Sequence, residues 1–180
     1  MLGTIDVITG PMFSGKSAEL IRRLQIHTIA EKRIKIYKHA SDTRFGKPLH
    51  ISSRNGTSIT SVPTDNAQLI LDEVVPEDLD MLAIDEIQFF DAPELIPYCK
   101  KLADEHGLHI IICGLDMDYR GIPFDMTAKF MAIADSVYKT RAVCMQCRNT
   151  QAIYTHKLSG NNERLEVGSD NYEPRCRSCK

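Results

Sequence analysis

Thr4-Ile5-Asp6-Val7-Ile8-Thr9-Gly10-Pro11-Met12-Phe13-Ser14-Gly15-Lys16-Ser17 is the stretch that decides the fold of this chain. Residues 4–9 alternate and are rich in β-branched side chains, which is a strand pattern. Gly10, Pro11 and Gly15 then break the pattern, and between Ser17 and Ala30 the residues Leu20, Ile21, Leu24 and Thr28 recur at helical spacing. The stretch reads strand, loop, helix. Its loop, Gly10 to Ser17, fits G-x-x-x-x-G-K-[ST], and it follows a strand and precedes a helix, the context that gives this pattern meaning. Glycines let backbone N–H groups crowd around phosphate oxygens, and the helix N-terminus adds the positive end of its dipole. Lys16 has the reach for β and γ phosphates, and Ser17 offers a hydroxyl to Mg²⁺. A Gly-rich turn without a ligand is the bland alternative. We read Gly10, Pro11, Met12, Phe13, Ser14, Gly15, Lys16 and Ser17 as a nucleoside triphosphate site.

Outward from this stretch, strands and helices alternate. Ile34–Tyr37 is a short strand, and the Ser-, Thr-, Asn- and Gly-rich SDTRFGKP and SSRNGTS sequences predict a long flexible loop. Residues 67–74 predict a short helix, and 81–84 a buried strand ending in Asp85 and Glu86. A helix is predicted over 92–106, with Pro93 near its start and Gly107 past its end. Residues 109–113 predict a strand, 127–134 a short helix and 137–143 a last strand. This order predicts an α/β fold, a P-loop domain with a mostly parallel doubly wound sheet that binds ligands outside the carboxyl ends of its strands. From Cys144 the pattern changes to turns, polar residues and cysteines, so we expect a second, small domain over 143–180 after a nucleotide-binding domain over 1–142.

Asp85, at the end of an apolar strand, stands where a P-loop protein needs its second Mg²⁺ anchor. Glu86, one position on, is placed to take a proton from an attacking oxygen, whether that belongs to water or to a substrate hydroxyl. Paired turn acids are the alternative. In Ser41-Asp42-Thr43-Arg44, Arg44 could neutralise a transferring phosphoryl group with its fixed fork of donors, against the alternative of a solvated loop. Cys144-x-x-Cys147 and Cys176-x-x-Cys179 supply four soft thiolates suited to a tetrahedral structural Zn²⁺, with a redox dithiol as the alternative. Four occupied thiolates leave no open position, so such a metal would hold the chain between the knuckles and do no chemistry. Cys99 and Cys113 read as small buried hydrophobes.

Composition bounds the partners. With 180 residues, 43% hydrophobic and 26% charged, the chain is long enough for a real core and is neither disordered nor collagen-like. The richest apolar run, Ile110 to Leu115, stops at Asp116, too short for a membrane-spanning helix, and the first ten residues carry no secretory signal. We therefore expect a cytoplasmic protein without membrane contact. A net charge of -2 and no basic cluster longer than Lys32-Arg33 offer no footprint for nucleic acid, which favours a small-molecule partner.

Taken together, GPMFSGKSAELIRR, SDTR, IDEIQFF, GLDMDYRGIPF and the two terminal C-x-x-C knuckles resemble the thymidine kinases of the cytosolic type, from about Thr4 to Cys179. The resemblance implies transfer of the γ-phosphoryl of ATP to the 5′-hydroxyl of thymidine, in a homotetramer inhibited by thymidine triphosphate. It implies Glu86 as general base, Ser17 and Asp85 as Mg²⁺ holders, Lys16 and Arg44 as screens of phosphoryl charge, and Asp42 and Gln88 on the nucleotide side. Met12, Phe89, Leu115, Tyr119, Phe124 and Tyr172 match the family's nucleoside pocket; without the family, the alternative for Phe89, Phe90 and Phe124 is that they are only core. Leu158 to Tyr172 resembles the loop that covers the thymine base through main-chain hydrogen bonds, with Gly168 and Tyr172 on its pattern. Three departures stand out: Ala18 where Thr often follows the P-loop, Tyr119 where Phe is frequent, and a stretch between Gly168 and Tyr172 one residue short. Two rivals fit the P-loop alone, an ATPase with a zinc ribbon acting on nucleic acid, and a nucleotide-binding module without catalysis.

Overall fold

The computed structural model describes residues 2–41, 50–53, 56–159 and 170–180. Its elements are β1 (Thr4–Gly10), α1 (Lys16–Ile29), β2 (Ile34–His39), β3 (His50–Ser52), β4 (Ser58–Thr60), β5 (Val62–Thr64), α2 (Ala67–Glu73), β6 (Met81–Asp85), α3 (Leu95–His106), β7 (His109–Leu115), α4 (Asp125–Ile133), β8 (Ser136–Lys139), β9 (Tyr154–Lys157) and β10 (Tyr172–Arg175). Among the described residues, six strands form one sheet in the order β5-β2-β6-β7-β1-β8, and every neighbouring pair in it is parallel. The α/β architecture expected from the alternation is present.

The sheet is wound on both faces because successive side chains of its central strands point opposite ways. Val7, Leu82, Ile84, Ile110 and Ile112 meet α2, α3 and α4 at Ile70, Leu95, Leu102 and Phe130. Ile8, Met81, Ala83, Ile111 and Cys113 meet α1 at Leu20, Ile21 and Leu24. All five residues of β6 are buried, as expected of a strand covered on both sides, and this includes Asp85 at its end. A parallel sheet also aligns its ends. Gly10, Asp85 and Leu115 therefore close three adjacent strands on one edge.

Local differences from the predicted elements have local causes. Residues 92–94 form a turn instead of opening α3, closed by Leu95 N–H to Ala92 O and Ile96 N–H to Pro93 O, both 3.1 Å. Within α3, Pro97 sits in the first turn, where its missing N–H would have had no helical partner. Gly107 ends the helix at φ 71°, ψ 20°, the left-handed cap expected of a glycine there. β8 stops at Lys139, short of the predicted 143, because its neighbour β1 turns into the loop at Gly10, φ 135°, and leaves nothing to pair with. The stretch read as one long loop contains an antiparallel hairpin, β3 with β4, whose Ile51 packs on α1, and an edge strand, β5. Strands this short carry too few alternations for their period to register in the sequence.

In the C-terminal part, β9 and β10 form an antiparallel pair, and Ala142, Cys144, Ala152 and Cys176 make a small separate core. Among the described residues no helix is long and apolar enough to cross a membrane. Leu82 is fully buried at the centre of the sheet, so Leu82→Ala should cost about 2–5 kcal/mol, seen as a lower urea midpoint at unchanged slope.

Candidate active site at the carboxyl edge of the sheet

The loop after β1 is held from three sides. Gly15 caps α1 in the left-handed region at φ 83°, ψ 16°, and Phe13 also has positive φ at 65°. Two such residues in three reverse the chain tightly between the strand and the helix. Lys16 Nζ donates to Pro11 O at 2.7 Å, curling back over the loop. Thr140 Oγ1 donates to Thr9 O at 2.8 Å and lies 2.6 Å from Ser14 Oγ, which shares its proton between Thr140 and Pro11 O, 2.7 Å away. Gly10 is required here on steric grounds, since a Cβ would stand 2.5 Å from Thr140 Oγ1 and 2.6 Å from Thr140 O. From the C-terminal part, Thr155 Oγ1 accepts the N–H of Met12 at 3.0 Å. Nothing in the sequence pattern singled out Thr140 or Thr155. Their signal is purely tertiary, a hydroxyl arriving from 126 and 143 residues away.

Asp85 and Glu86 lie side by side at the end of β6 but leave it differently. Asp85 ends the strand, 2% exposed, and its Oδ1 accepts the N–H of Glu86 at 2.9 Å. Glu86 has φ 57°, ψ 42°, a left-handed conformation that costs an L-residue on the order of 1 kcal/mol. This kink takes Glu86 out of the strand's alternation, so that its side chain does not enter the core opposite Asp85. Glu86 Oε2 accepts from Gln88 Nε2 at 2.5 Å, while Gln88 Oε1 accepts the N–H of Leu115 at 2.9 Å. One amide thus ties the second carboxylate to the end of the next strand. Burial pushes the Cys113 thiol well above its ordinary range, and the Asp85 carboxylate, which takes its hydrogen bond, and the nearby Lys16 cation also act on it. Cys99, pushed up to about 12 by burial, and Cys113 are both buried, like the small buried hydrophobes read from the sequence.

The remaining candidates surround this edge. Phe89 closes the turn that follows Glu86, against which α4 packs, and Phe124 caps α4 with its N–H on Asp116 O at 3.0 Å. Asp118 Oδ1 accepts from Arg120 N–H at 3.0 Å and Ile122 N–H at 2.9 Å, folding the turn that carries Tyr119. The Tyr119 hydroxyl accepts from Arg120 Nε at 2.9 Å. Lys157 Nζ lies 5.0 Å from the Tyr119 ring centre and 5.7 Å from that of Tyr172, so one cation of β9 gathers both tyrosines. At the stems of the expected covering loop, Leu158 N–H donates to Asn171 O at 2.8 Å and Ser159 Oγ bonds Asn171 Oδ1 at 3.0 Å. Asp42, Arg44 and Gly168 lie outside the described residues.

On the β2 side, His39 is buried beside the acid pair. Its ring stacks on Phe89 at 5.4 Å and 29°, and meets Phe90 edge-on at 4.7 Å and 86°. Its Nδ1 accepts the N–H of Ser41 at 3.2 Å. Burial holds the imidazole below its ordinary value, against the opposing pull of the Asp65 and Glu86 charges.

The four cysteines converge. All four sulfurs lie within 4.8 Å of one another, and Cys147 Sγ is 3.7 Å from Cys176 Sγ. A tetrahedral Zn²⁺ with Zn–S near 2.3 Å needs sulfur–sulfur separations of about 3.8 Å, so the donor set fits that ion. Backbone N–H groups, chiefly that of Cys147, pull the Cys144 thiol down, while the neighbouring sulfurs push that of Cys179 up, as expected of thiols crowded on one point.

Gly114, on β7, underlies the Gln88 bridge. A Cβ there would stand 2.6 Å from Gln88 Oε1 and 2.7 Å from Ile87 Cγ2. Gly114→Ala should therefore destabilise by about 1–3 kcal/mol, and the cost should fall by about 1 kcal/mol in a Gln88→Ala background, a coupling that urea denaturation of the four proteins would measure.

The family model described as thymidine kinase matches residues 3–180. A thymidine kinase of Bacteroides fragilis is 42% identical over 178 residues, covering 98% of this chain and 86% of the relative. One from Mesomycoplasma hyopneumoniae is 41% identical over 177 residues, with 98% and 95% covered. Among solved structures, the flagellar accessory protein FlaH from Methanocaldococcus jannaschii matches with a TM-score of 0.51 at 14% identity, covering 97% of this chain and 87% of that one, a likeness of fold alone. Relatives at this identity along nearly the whole chain, and a family model spanning both the P-loop and the cysteine knuckles, establish that the chain belongs to the thymidine kinase family.

Proposed function

We propose that this chain transfers the γ-phosphoryl of ATP to the 5′-hydroxyl of thymidine, giving thymidine monophosphate. The observation that carries the reading is the pair of buried acids at the end of β6, on the same edge of the sheet as the 10–17 loop after β1, in a chain of the thymidine kinase family. In this reading the backbone N–H groups of the 10–17 loop and Lys16 hold the triphosphate. Ser17 and Asp85, both hard oxygen donors, would hold Mg²⁺, which when bound neutralises charge on the β and γ oxygens. Glu86 takes the proton of the 5′-hydroxyl as the oxygen attacks, and its bond from Gln88 fixes the direction of that carboxylate. Arg44 screens the transferring phosphoryl group, and Asp42 and Gln88 support the nucleotide side.

Met12, Phe89, Leu115, Tyr119, Phe124, Gly168 and Tyr172 form the nucleoside pocket in this proposal. What supports it is the gathering of Phe89, Leu115, Tyr119, Phe124 and Tyr172 around the turns that follow β6 and β7. Tyr119, with its hydroxyl turned to Arg120, contributes its ring. A two-part organisation belongs to the same reading, with residues 1–142 for the nucleotide and 143–180 for a structural zinc and the loop over the base. Feedback inhibition by thymidine triphosphate, assembly as a homotetramer and a cytoplasmic location complete it.

The deciding experiment is ATP-dependent monophosphate formation from thymidine, deoxyuridine, deoxycytidine and deoxyguanosine, run beside Glu86→Gln. We expect product from thymidine, none from deoxyguanosine, and a turnover lower by about 10²- to 10⁴-fold in the variant. ATP hydrolysis without any phosphorylated nucleoside would overturn the proposal and make Glu86 an activator of water. For the metal, Cys176→Ser should abolish co-purification of zinc, lower the melting temperature and raise the KM for thymidine. A variant that keeps zinc and wild-type melting would remove Cys176 from the ligand set.

A further inference from the structure

We propose that Asp116 and Lys139 are positioning residues, an ion pair that bridges β7 and β8 across the end of β1 and so holds the turn of the nucleoside wall in register with the 10–17 loop. The inference rests on the kinase reading above and adds to it a device that sets how the acceptor hydroxyl stands relative to the phosphoryl donor.

The pair joins two strands that are not neighbours. β1 lies between β7 and β8, with Thr9 in register with Gly114 on one side and with Lys139 on the other. Adjacent strands are about 4.8 Å apart, so a contact from β8 to the end of β7 spans about 10 Å and needs a side chain as long as that of lysine. Lys139 Nζ lies 2.7 Å from Asp116 Oδ2. Its partner is withdrawn from water. The Asp116 side chain is 5% exposed against 43% for Lys139, and neither carboxylate oxygen accepts a hydrogen bond from any other described group. The ammonium is therefore what compensates this buried charge. Each end of the bridge is tied to a different half of the site. Asp116 follows Leu115, its carbonyl accepts the Phe124 N–H at 3.0 Å, and the Met117–Pro123 bridge beside it closes the turn that carries Tyr119. Lys139 precedes Thr140, whose hydroxyl holds Thr9 O and Ser14 of the 10–17 loop.

The test is steady-state kinetics of wild type, Asp116→Asn, Lys139→Met, Lys139→Arg and the double variant Asp116→Asn with Lys139→Met, each well below its melting temperature and with thymidine and ATP varied separately. Asp116→Asn keeps the side-chain shape, leaves Lys139 in water and strands no charge, so it decides the matter even if Lys139→Met does not fold. Without the bridge each half of the site keeps its own contacts and only their separation is released. In Asp116→Asn kcat should therefore fall about 10- to 100-fold, with the KM for thymidine and for ATP within about twofold of wild type. Lys139→Met should show the same split at a lower melting temperature, and Lys139→Arg, which keeps charge and reach, should recover most of the lost kcat. The double variant should be no slower than the slower single variant, as for two residues acting as one unit. A pair that merely supports the fold would lower the melting temperature and leave kcat of the folded protein unchanged, and that result would overturn the inference. Raised KM values at wild-type kcat, or losses that multiply in the double variant, would overturn it as well. If the wild type fails to phosphorylate thymidine, the kinase reading itself falls and this inference with it. If the wild type is active and the split between kcat and KM is missing, only the role of the bridge falls.

Discussion

The backbone of Glu86 stands in the left-handed region, at φ 57° and ψ 42°, immediately after a strand whose five residues are all buried. This single kink is the constraint on which the site depends. Without it, Asp85 and Glu86 would alternate across the sheet and point to opposite cores, as Ile84 and Ala83 do behind them. With it, Asp85 stays on the α1 face beside Cys113, and Glu86 is drawn to Gln88 and the end of β7. The conformation persists because neighbours over-determine it. Asp85 Oδ1 binds the Glu86 N–H, and the following turn closes through Phe89 N–H to Glu86 O at 3.1 Å.

A second dependence runs from the C-terminal part back to the P-loop. Thr155 of β9 holds the Met12 N–H, and Lys157 of the same strand gathers Tyr119 and Tyr172. The cysteine cluster lies beside this strand pair, with Ile153 N–H on Arg175 O at 3.1 Å and Met145 N–H on Pro174 O at 3.0 Å. A metal in that cluster would act on the chemistry only through the stiffness of β9 and β10. This fits a closed set of four sulfurs that offers no position to a substrate.

What was legible in the sequence follows from how local each signal is. The β1–loop–α1 unit, the buried β6 and the four cysteines were readable, because hydrophobic period, a Gly-Lys-Ser spacing and two C-x-x-C pairs are short-range patterns. The hairpin of β3 and β4 was not, since three-residue strands carry almost no period. Thr140, Thr155 and His39 were invisible for a different reason. Each acts on a residue far along the chain or on a turn whose shape only the folded backbone sets, and a threonine or histidine among polar neighbours has no distinguishing spacing. Gln88 was placed by family resemblance on the nucleotide side, and the structure adds that its amide bridges Glu86 and Leu115.

In the proposed function, the kink divides two adjacent acids into a metal holder and a proton acceptor. The most direct test of this division is the Mg²⁺ dependence of binding for a non-hydrolysable ATP analogue, compared between Asp85→Asn and Glu86→Gln. The account predicts that Glu86→Gln keeps the wild-type gain in affinity on adding Mg²⁺ and that Asp85→Asn loses it. Equal loss in both variants, or loss in Glu86→Gln alone, would contradict the division of roles.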